Sequence, residues 1–388
     1  MAFLFASDTN AVLPFDSDAQ TNLLIVTPVL PPAPGGGGIY TQLLASGLLE
    51  KDFAASVSIL TERHPSCLDS EISVGGRLRV FRWFPFRAGV AQKTAGRYFW
   101  YLLQNLQFLL IPWLLSRLRF SHVLIHSSFH NNPNLMWLAV WLIRLFLPDV
   151  KLICDVRDPK LPRRRFTELD RYHAILCCSE NVYLHLSLHP MTRERLVTIP
   201  IIVTIHKPEK QAIKECMARH GVDNLKYLFN GSGILKEKGI DLALEVARQL
   251  HRTGEVDCLV VAGRKRDWSP IHEAAEKSGL LRYVGILQHN QVIALSAGAE
   301  ADINLSHVDS MPRASLEALC AGARVLLPQG VPEFDRECPE FVATSQEPDV
   351  LAAQISRIIR NNLRPNFDLA RHSANHVLSE YQKLFNSL

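Results

Sequence analysis

The 388-residue sequence has no run of about 18 uninterrupted apolar residues, so no segment is expected to cross a bilayer as a helix. Concentrated charge is missing too. Lys and Arg number 42 against 38 Asp and Glu, a formal charge of +4, and the densest basic group, Arg163, Arg164 and Arg165, is too short for a nucleic-acid face. The eight cysteines form no CxxC pair and no even ladder; several sit inside apolar runs (LICDV, ILCCS, DCLVV, EALCAG). That excludes a disulfide scaffold and predicts buried, reduced thiols in a cytosolic protein. His185 and His189 are spaced i, i+4 on a predicted helix, but no carboxylate or third histidine completes a ligand set, so no metal is expected. Residues 1–20 carry Asp8, Asp16 and Asp18 and no basic n-region, which predicts a loose lead-in rather than a secretory signal.

A composition of 47% hydrophobic and 21% charged residues belongs to a globular chain, and its length suggests two domains. Apolar runs bounded by turn residues alternate with helical patterns throughout, so the fold class is α/β, with two Rossmann-like doubly wound domains facing a cleft. The first run, NLLIVTP, meets PVLPPAPGGGG, which neither helix nor strand accepts, and a helix is predicted over Ile39–Leu49. Gly36, Gly37 and Gly38 then form either a loop whose backbone can approach a phosphate or a flexible connector. The dinucleotide fingerprint GxGxxG is not met, because Tyr40 takes its last position.

Strands are predicted at 55–60, 78–84, 122–126 and 150–156. His126 and His130 lie at the carboxyl end of the third of these, where open α/β sheets bind ligands, and DVRDPK, with Arg157 and Asp158, follows the fourth. Arg157 and Asp158 either line a cleft or tie loops together. Two stretches stand out for aromatics between arginines: RWFPFR (82–87) and residues 97–119, an apolar helical pattern broken by Pro112. The second is either a kinked core helix or an interfacial helix dipping into a bilayer. Residues 204–209 form the expected linker, after which strand, glycine turn and helix recur, with Gly233, Lys236 and Lys238 in the first turn and Arg264 in the second.

Residues 302–322, DINLSHVDSMPRASLEALCAG after Ala301, combine a predicted strand over 302–306, a polar turn and a helix that Pro312 opens and Gly322 closes. Backbone N–H groups at such a turn suit a phosphate, and Asp309 and Glu317 could each accept two hydroxyl hydrogen bonds. Alternatively, Arg313 and Glu317 make an i, i+4 surface pair and Asp309 helps to cap the helix.

The order Ser306, Asp309, Ser310, Met311, Pro312, Glu317 and then EALCAGARVLLP resembles the donor-site signature of the retaining GT-B glycosyltransferases of family 4 type, which include bacterial surface-polysaccharide and phosphatidylinositol mannosyl transferases. The resemblance implies an acceptor-binding domain at 21–203, a nucleotide-sugar-binding domain at 204–365 and a C-terminal helix at 366–388 crossing back to the first. It implies a hexosyltransferase-like, nucleotide-sugar-dependent enzyme of polysaccharide biosynthesis, with the nucleotide sugar as co-substrate and no metal. Donor contacts would come from Gly36–Gly38, Gly233, Lys236, Arg264, Ser310, Met311, Pro312 and Glu317, the last at the ribose. Lys238 would meet the leaving diphosphate, Asp309 the sugar, and Arg157 and Asp158 the acceptor side, with His126 and His130 as acceptor ligands.

Four positions depart from the family pattern: Gly233 replaces Arg, Asp309 replaces Glu, Arg157 replaces His, and Ile201-Ile202 replaces Asn-Gly. They support the alternative of a GT-B protein that binds a nucleotide sugar or a partner transferase without turnover. The acceptor is expected to be a glycan or a lipid-linked sugar, and no nucleic acid is expected. A lipid acceptor would explain Arg82, Trp83, Phe84, Phe86 and Arg87 as contacts with the inner face of an anionic membrane.

Overall fold

The structure is a computed structural model and describes residues 21–31, 36–62, 67, 68, 70–73, 75–84, 111, 112, 115, 119–127, 136–157, 166–190 and 192–388. The apolar runs do become strands. The first sheet contains β1 (Asn22–Val26), β2 (Ser56–Glu62), β3 (Ser70–Ser73), β4 (Leu78–Phe84), β5 (His122–His126), β6 (Lys151–Val156), β7 (Ala174–Cys177) and β8 (Leu196–Thr198), in the order β3-β4-β2-β1-β5-β6-β7-β8. Every pair is parallel except β3 with β4. The second sheet orders β9 (Tyr227–Asn230), β10 (Cys258–Val261), β11 (Leu281–Tyr283), β12 (Ala301–Ile303) and β13 (Val325–Leu326) as β11-β10-β9-β12-β13, all parallel. Strands of parallel sheets are covered on both faces, which is why Leu23 to Val26, Leu228 and Phe229, and Leu259 to Val261 are continuous apolar runs with almost no exposure.

In each sheet the chain leaves a central strand to one side and later returns to its other side. These reversals fall between β1 and β5 and between β9 and β12. Ligands of open parallel sheets bind outside the carboxyl ends of the strands at such points. Residues 27–31, residues 36–38 and His126 therefore border one crevice, and Asn230–Gly233 and Asn304–Ser306 border the other.

The last helix, Ala374–Ser387, lies on the first sheet's side of the molecule. Gly47 lets it approach helix Gly36–Glu50, since a Cβ there would stand 2.6 Å from Leu378 Cδ1, and the hydroxyls of Tyr40 and Tyr381 meet at 2.6 Å. The backbone N–H of Val203 donates to the His372 carbonyl at 3.1 Å, tying the entry of this segment to the stretch that follows β8.

Several local expectations change. Gly36–Gly38 are not a loop but the first turn of helix Gly36–Glu50. The strand expected over 302–306 ends at Ile303, because Asn304 turns its side chain to Ser315 and accepts from the Ser306 N–H. Strand β3, polar and four residues long, gave no period to read. Arg82 is not a headgroup contact: it is buried beneath the sheet, donating to Glu71 at 3.2 Å and to the Pro31 carbonyl at 3.1 Å. Trp83 and Phe84 lie in β4, while Phe86, Arg87 and most of 97–119 fall outside the described residues; Ile111 and Leu115 from that segment are buried. Among the described residues no helix is long and apolar enough to cross a membrane.

Asp302, in the middle of β12, is a buried acid whose carboxyl is pushed up to about 7 by burial, against the hydrogen bond from Ser296 Oγ at 2.7 Å. The neighbouring Glu317 carboxylate pushes the same way. A folded-state pKa above the unfolded value contributes stability that is complete below about pH 4 and is lost as pH rises through 7. Asp302 should therefore make the melting temperature fall between about pH 4 and 7, and Asp302→Asn should flatten that slope. A variant with the wild-type slope would mean that the carboxyl is ionised throughout.

Candidate functional site

The site is built on two turns at the carboxyl ends of β9 and β12. Asn230 anchors both: its amide donates to the Ile303 carbonyl at 2.9 Å, and its Oδ1 accepts from the Ser232 N–H and hydroxyl. After β9 the chain passes Gly233, makes a single 3-10 turn at Lys236–Lys238 and enters helix Ile240–Arg252 through Gly239. Gly239 has φ +71°, and a Cβ there would lie 2.4 Å from the Leu305 carbonyl oxygen, so only glycine lets the two turns touch. Lys238 is thereby held over the second turn, where its ammonium pairs with Asp309.

The second turn leads into helix Arg313–Cys320. Pro312 is its N-cap, one position earlier than expected, and no side chain caps the helix, so Asp309 is free of that duty. The apolar stripe of Leu316, Leu319 and Cys320 is buried, but Ser315, Glu317 and Ala318 are buried as well. Arg313 and Glu317 do form the i, i+4 pair, yet it is not on the surface: their side chains are 11% and 8% exposed. Arg313 also donates to the Gly36 carbonyl at 3.2 Å, and its Nη2 is buried without a partner among the described residues. The N-terminus of helix Gly36–Glu50 thus stands against that of helix Arg313–Cys320. Each leaves first-turn N–H groups without intrahelical acceptors, so both dipoles favour an anion at one place.

His289 opens helix His289–Gly298 and sits 3.5 Å from the Glu317 carboxylate. Burial lowers its pKa, Glu317 opposes this and Arg313 reinforces it, so near neutrality it is an uncharged imidazole. Sequence reasoning missed this residue, although a histidine at a strand-to-helix turn was a usable signal.

Across the cleft, the Ser310 hydroxyl donates to the Arg157 carbonyl at 2.7 Å, and Met311 beside it is buried. The expected role of Arg157 as an acceptor-anion contact is not what its side chain does here. Its Nε donates to Asp155 at 2.7 Å and its guanidinium lies 3.5 Å over the Tyr40 ring, so it is inward-facing and satisfied. His126, level with Asp155 in the sheet, is held neutral, its pKa lowered to about 4 by burial and then by Arg157. His130 and Asp158 lie outside the described residues.

The three remaining expected donor residues differ in kind. Gly233 has φ +84°, and a Cβ there would stand 3.0 Å from the Arg264 backbone nitrogen, so an arginine would be strained there whatever its charge. Lys236 is exposed and linked to Asp267 only through its backbone N–H, and Arg264 is exposed while its carbonyl accepts from Ile234. Among the described residues no three His, Cys, Asp or Glu side chains are grouped to hold a metal ion.

Residues 214–375 match the family described as glycosyl transferases group 1. The whole fold is similar to Anabaena HepE, solved with UDP and glucose, at 13% identity and a TM-score of 0.69 over 95% of this chain and 100% of that one. Sucrose-phosphate synthase from Thermosynechococcus elongatus matches at 14% identity and a TM-score of 0.67, over 95% of each chain. A glycosyltransferase from Rickettsia africae matches at 15% identity and a TM-score of 0.66, over 95% of this chain and 98% of that one. A search of curated protein sequences finds no match. At such identities the likeness concerns the fold, which is GT-B. With the group 1 domain in its second half, the chain is a glycosyltransferase by class.

Proposed function

We propose that this protein transfers a hexose from a nucleotide sugar to a glycan or lipid-linked acceptor, with retention and without a metal, as part of polysaccharide biosynthesis. One observation carries the reading: two helix N-termini, Lys238 and Arg313 converge at the facing crevices, beside the carboxylates of Asp309 and Glu317. A leaving diphosphate needs fixed positive charge that grows in value as the anomeric bond breaks. Lys238 supplies it, and Arg313 takes the part of the cation that Gly233 cannot provide. Glu317, with His289, receives the ribose; Asp309 receives the sugar hydroxyls once the diphosphate draws Lys238 away. Asp158 and His130 remain the acceptor-side groups. That a protein of the same fold was solved with UDP and glucose supports a uridine nucleotide as the first donor to try.

The alternative, binding without turnover, is favoured by one feature: both ion pairs are closed on themselves, so a donor must open them before it can bind. A thermal-shift screen of UDP-, GDP- and ADP-sugars, followed by donor hydrolysis without acceptor, separates the readings. Stabilisation with slow hydrolysis is expected. Stabilisation without any release of nucleotide diphosphate would leave a binder, and no response to any nucleotide sugar would remove both.

A further inference from the structure

Helix Met136–Phe146 joins β5 to β6, and its sequence, MWLAVWLIRLF, has a single polar residue, Arg144. Met136, Ala139, Val140 and Ile143 bury one face against the sheet. The opposite face should then be polar. Instead it carries Trp137, Trp141 and Leu145 at i, i+4 and i+8, exposed by 40%, 43% and 54%, with Phe146 exposed by 68% at the end. A helix that is apolar all round and not enclosed by protein has an unmet apolar partner.

The rim of this face is cationic. The Arg171 guanidinium lies 5.9 Å from the Trp137 ring and donates to the Trp137 carbonyl at 3.1 Å. Arg144 contacts the His173 ring, whose pKa is driven down to about 4 by burial and by the charges of Arg144, Lys151 and Arg195. Arg144, Lys151 and Arg171 have no carboxylate partner among the described residues.

We infer that this face docks on an anionic lipid bilayer, with Trp137, Trp141 and Leu145 in the interface and Arg144, Lys151 and Arg171 at the headgroups. Tryptophans beside arginines suit the headgroup boundary, where an apolar ring and a cation are satisfied together. A second copy of the chain fits less well. Two-fold pairing would bring like-charged rims together, and an 11-residue helix offers far less than the roughly 800 Å² per partner of a stable interface. The inference is independent of turnover, although it suits the lipid-linked branch of the proposed function.

The test is sedimentation of the full chain with vesicles of phosphatidylcholine and phosphatidylglycerol, without donor, combined with quenching of tryptophan fluorescence by brominated acyl chains. Binding at low salt, quenching, and loss at high salt are expected, because headgroup attraction is screened beyond about 10 Å at 0.1 M salt. Trp141→Glu should weaken vesicle binding by about ten-fold or more, since it turns an anchoring ring into a charge facing anionic lipid. It should leave the melting temperature and the donor-induced thermal shift unchanged. No binding at low salt, equal binding to pure phosphatidylcholine, or unchanged binding of Trp141→Glu would overturn the inference. So would a dimer in sedimentation velocity that this substitution dissolves. A chain that docks but never hydrolyses donor would sink the transferase reading alone.

Discussion

Replacing Lys238 with alanine should lower the turnover number by about 10²–10³, with a much smaller change in KM. The ammonium is set over the turn that follows β12 by Gly239, whose left-handed backbone and close approach to Leu305 fix the 3-10 turn before it. Its present partner is Asp309, and diphosphate would be the stronger one as negative charge builds on the leaving oxygen. Folding should suffer little, since Asp309 is 21% exposed and water can solvate it when unpaired. Steady-state kinetics of donor hydrolysis and of transfer decide the matter. A variant with normal turnover and a raised KM would make Lys238 a uniform binding contact and hand the catalytic charge to Arg313.

Glu317→Ala should cost nucleotide binding about 2–4 kcal/mol, the loss of hydrogen bonds to a charged acceptor. The same change should also destabilise the fold, on the order of 3 kcal/mol, because it strands a largely buried guanidinium whose Nη2 already lacks a partner among the described residues. The two effects separate with Glu317→Gln, which keeps the shape and one acceptor oxygen: stability should largely return while nucleotide affinity stays reduced. Calorimetric titration of the nucleotide beside a thermal melt gives both readings. Wild-type affinity in both variants would leave Glu317 as the partner of Arg313 and nothing more.

The parts of this molecule that could be read from the chain are those whose cause is local. Apolar runs such as NLLIV and CLVV became buried parallel strands because their period matches a sheet covered on both faces. The glycines at 233 and 239 marked turns because positive φ is cheap only for glycine. Even where the outline held, boundaries moved for reasons the chain does not advertise: Asn304 ended β12 by turning its amide to Ser315, and Gly36–Gly38 joined a helix once Tyr40 and Leu44 behind them were buried. The pair of Arg313 and Glu317 was legible as i, i+4 spacing, but its burial was not, since burial depends on what is packed above it.

Sequence by itself determined the alternation of strands and helices and the two turns at the ends of β9 and β12, and it singled out Lys238, Asp309 and Glu317 as candidate charges. Tertiary structure alone decided which groups meet across the cleft. Arg313 reaches the carbonyl of Gly36, 277 positions away, and Ser310 reaches that of Arg157, 153 positions away. It also turned Arg157 inward onto Asp155 and Tyr40, and brought His289 to Glu317. The physical reason is that spacing and backbone preference act over a few residues, whereas a contact between two sheets exists only after each has buried its own core and presented its strand ends to the other.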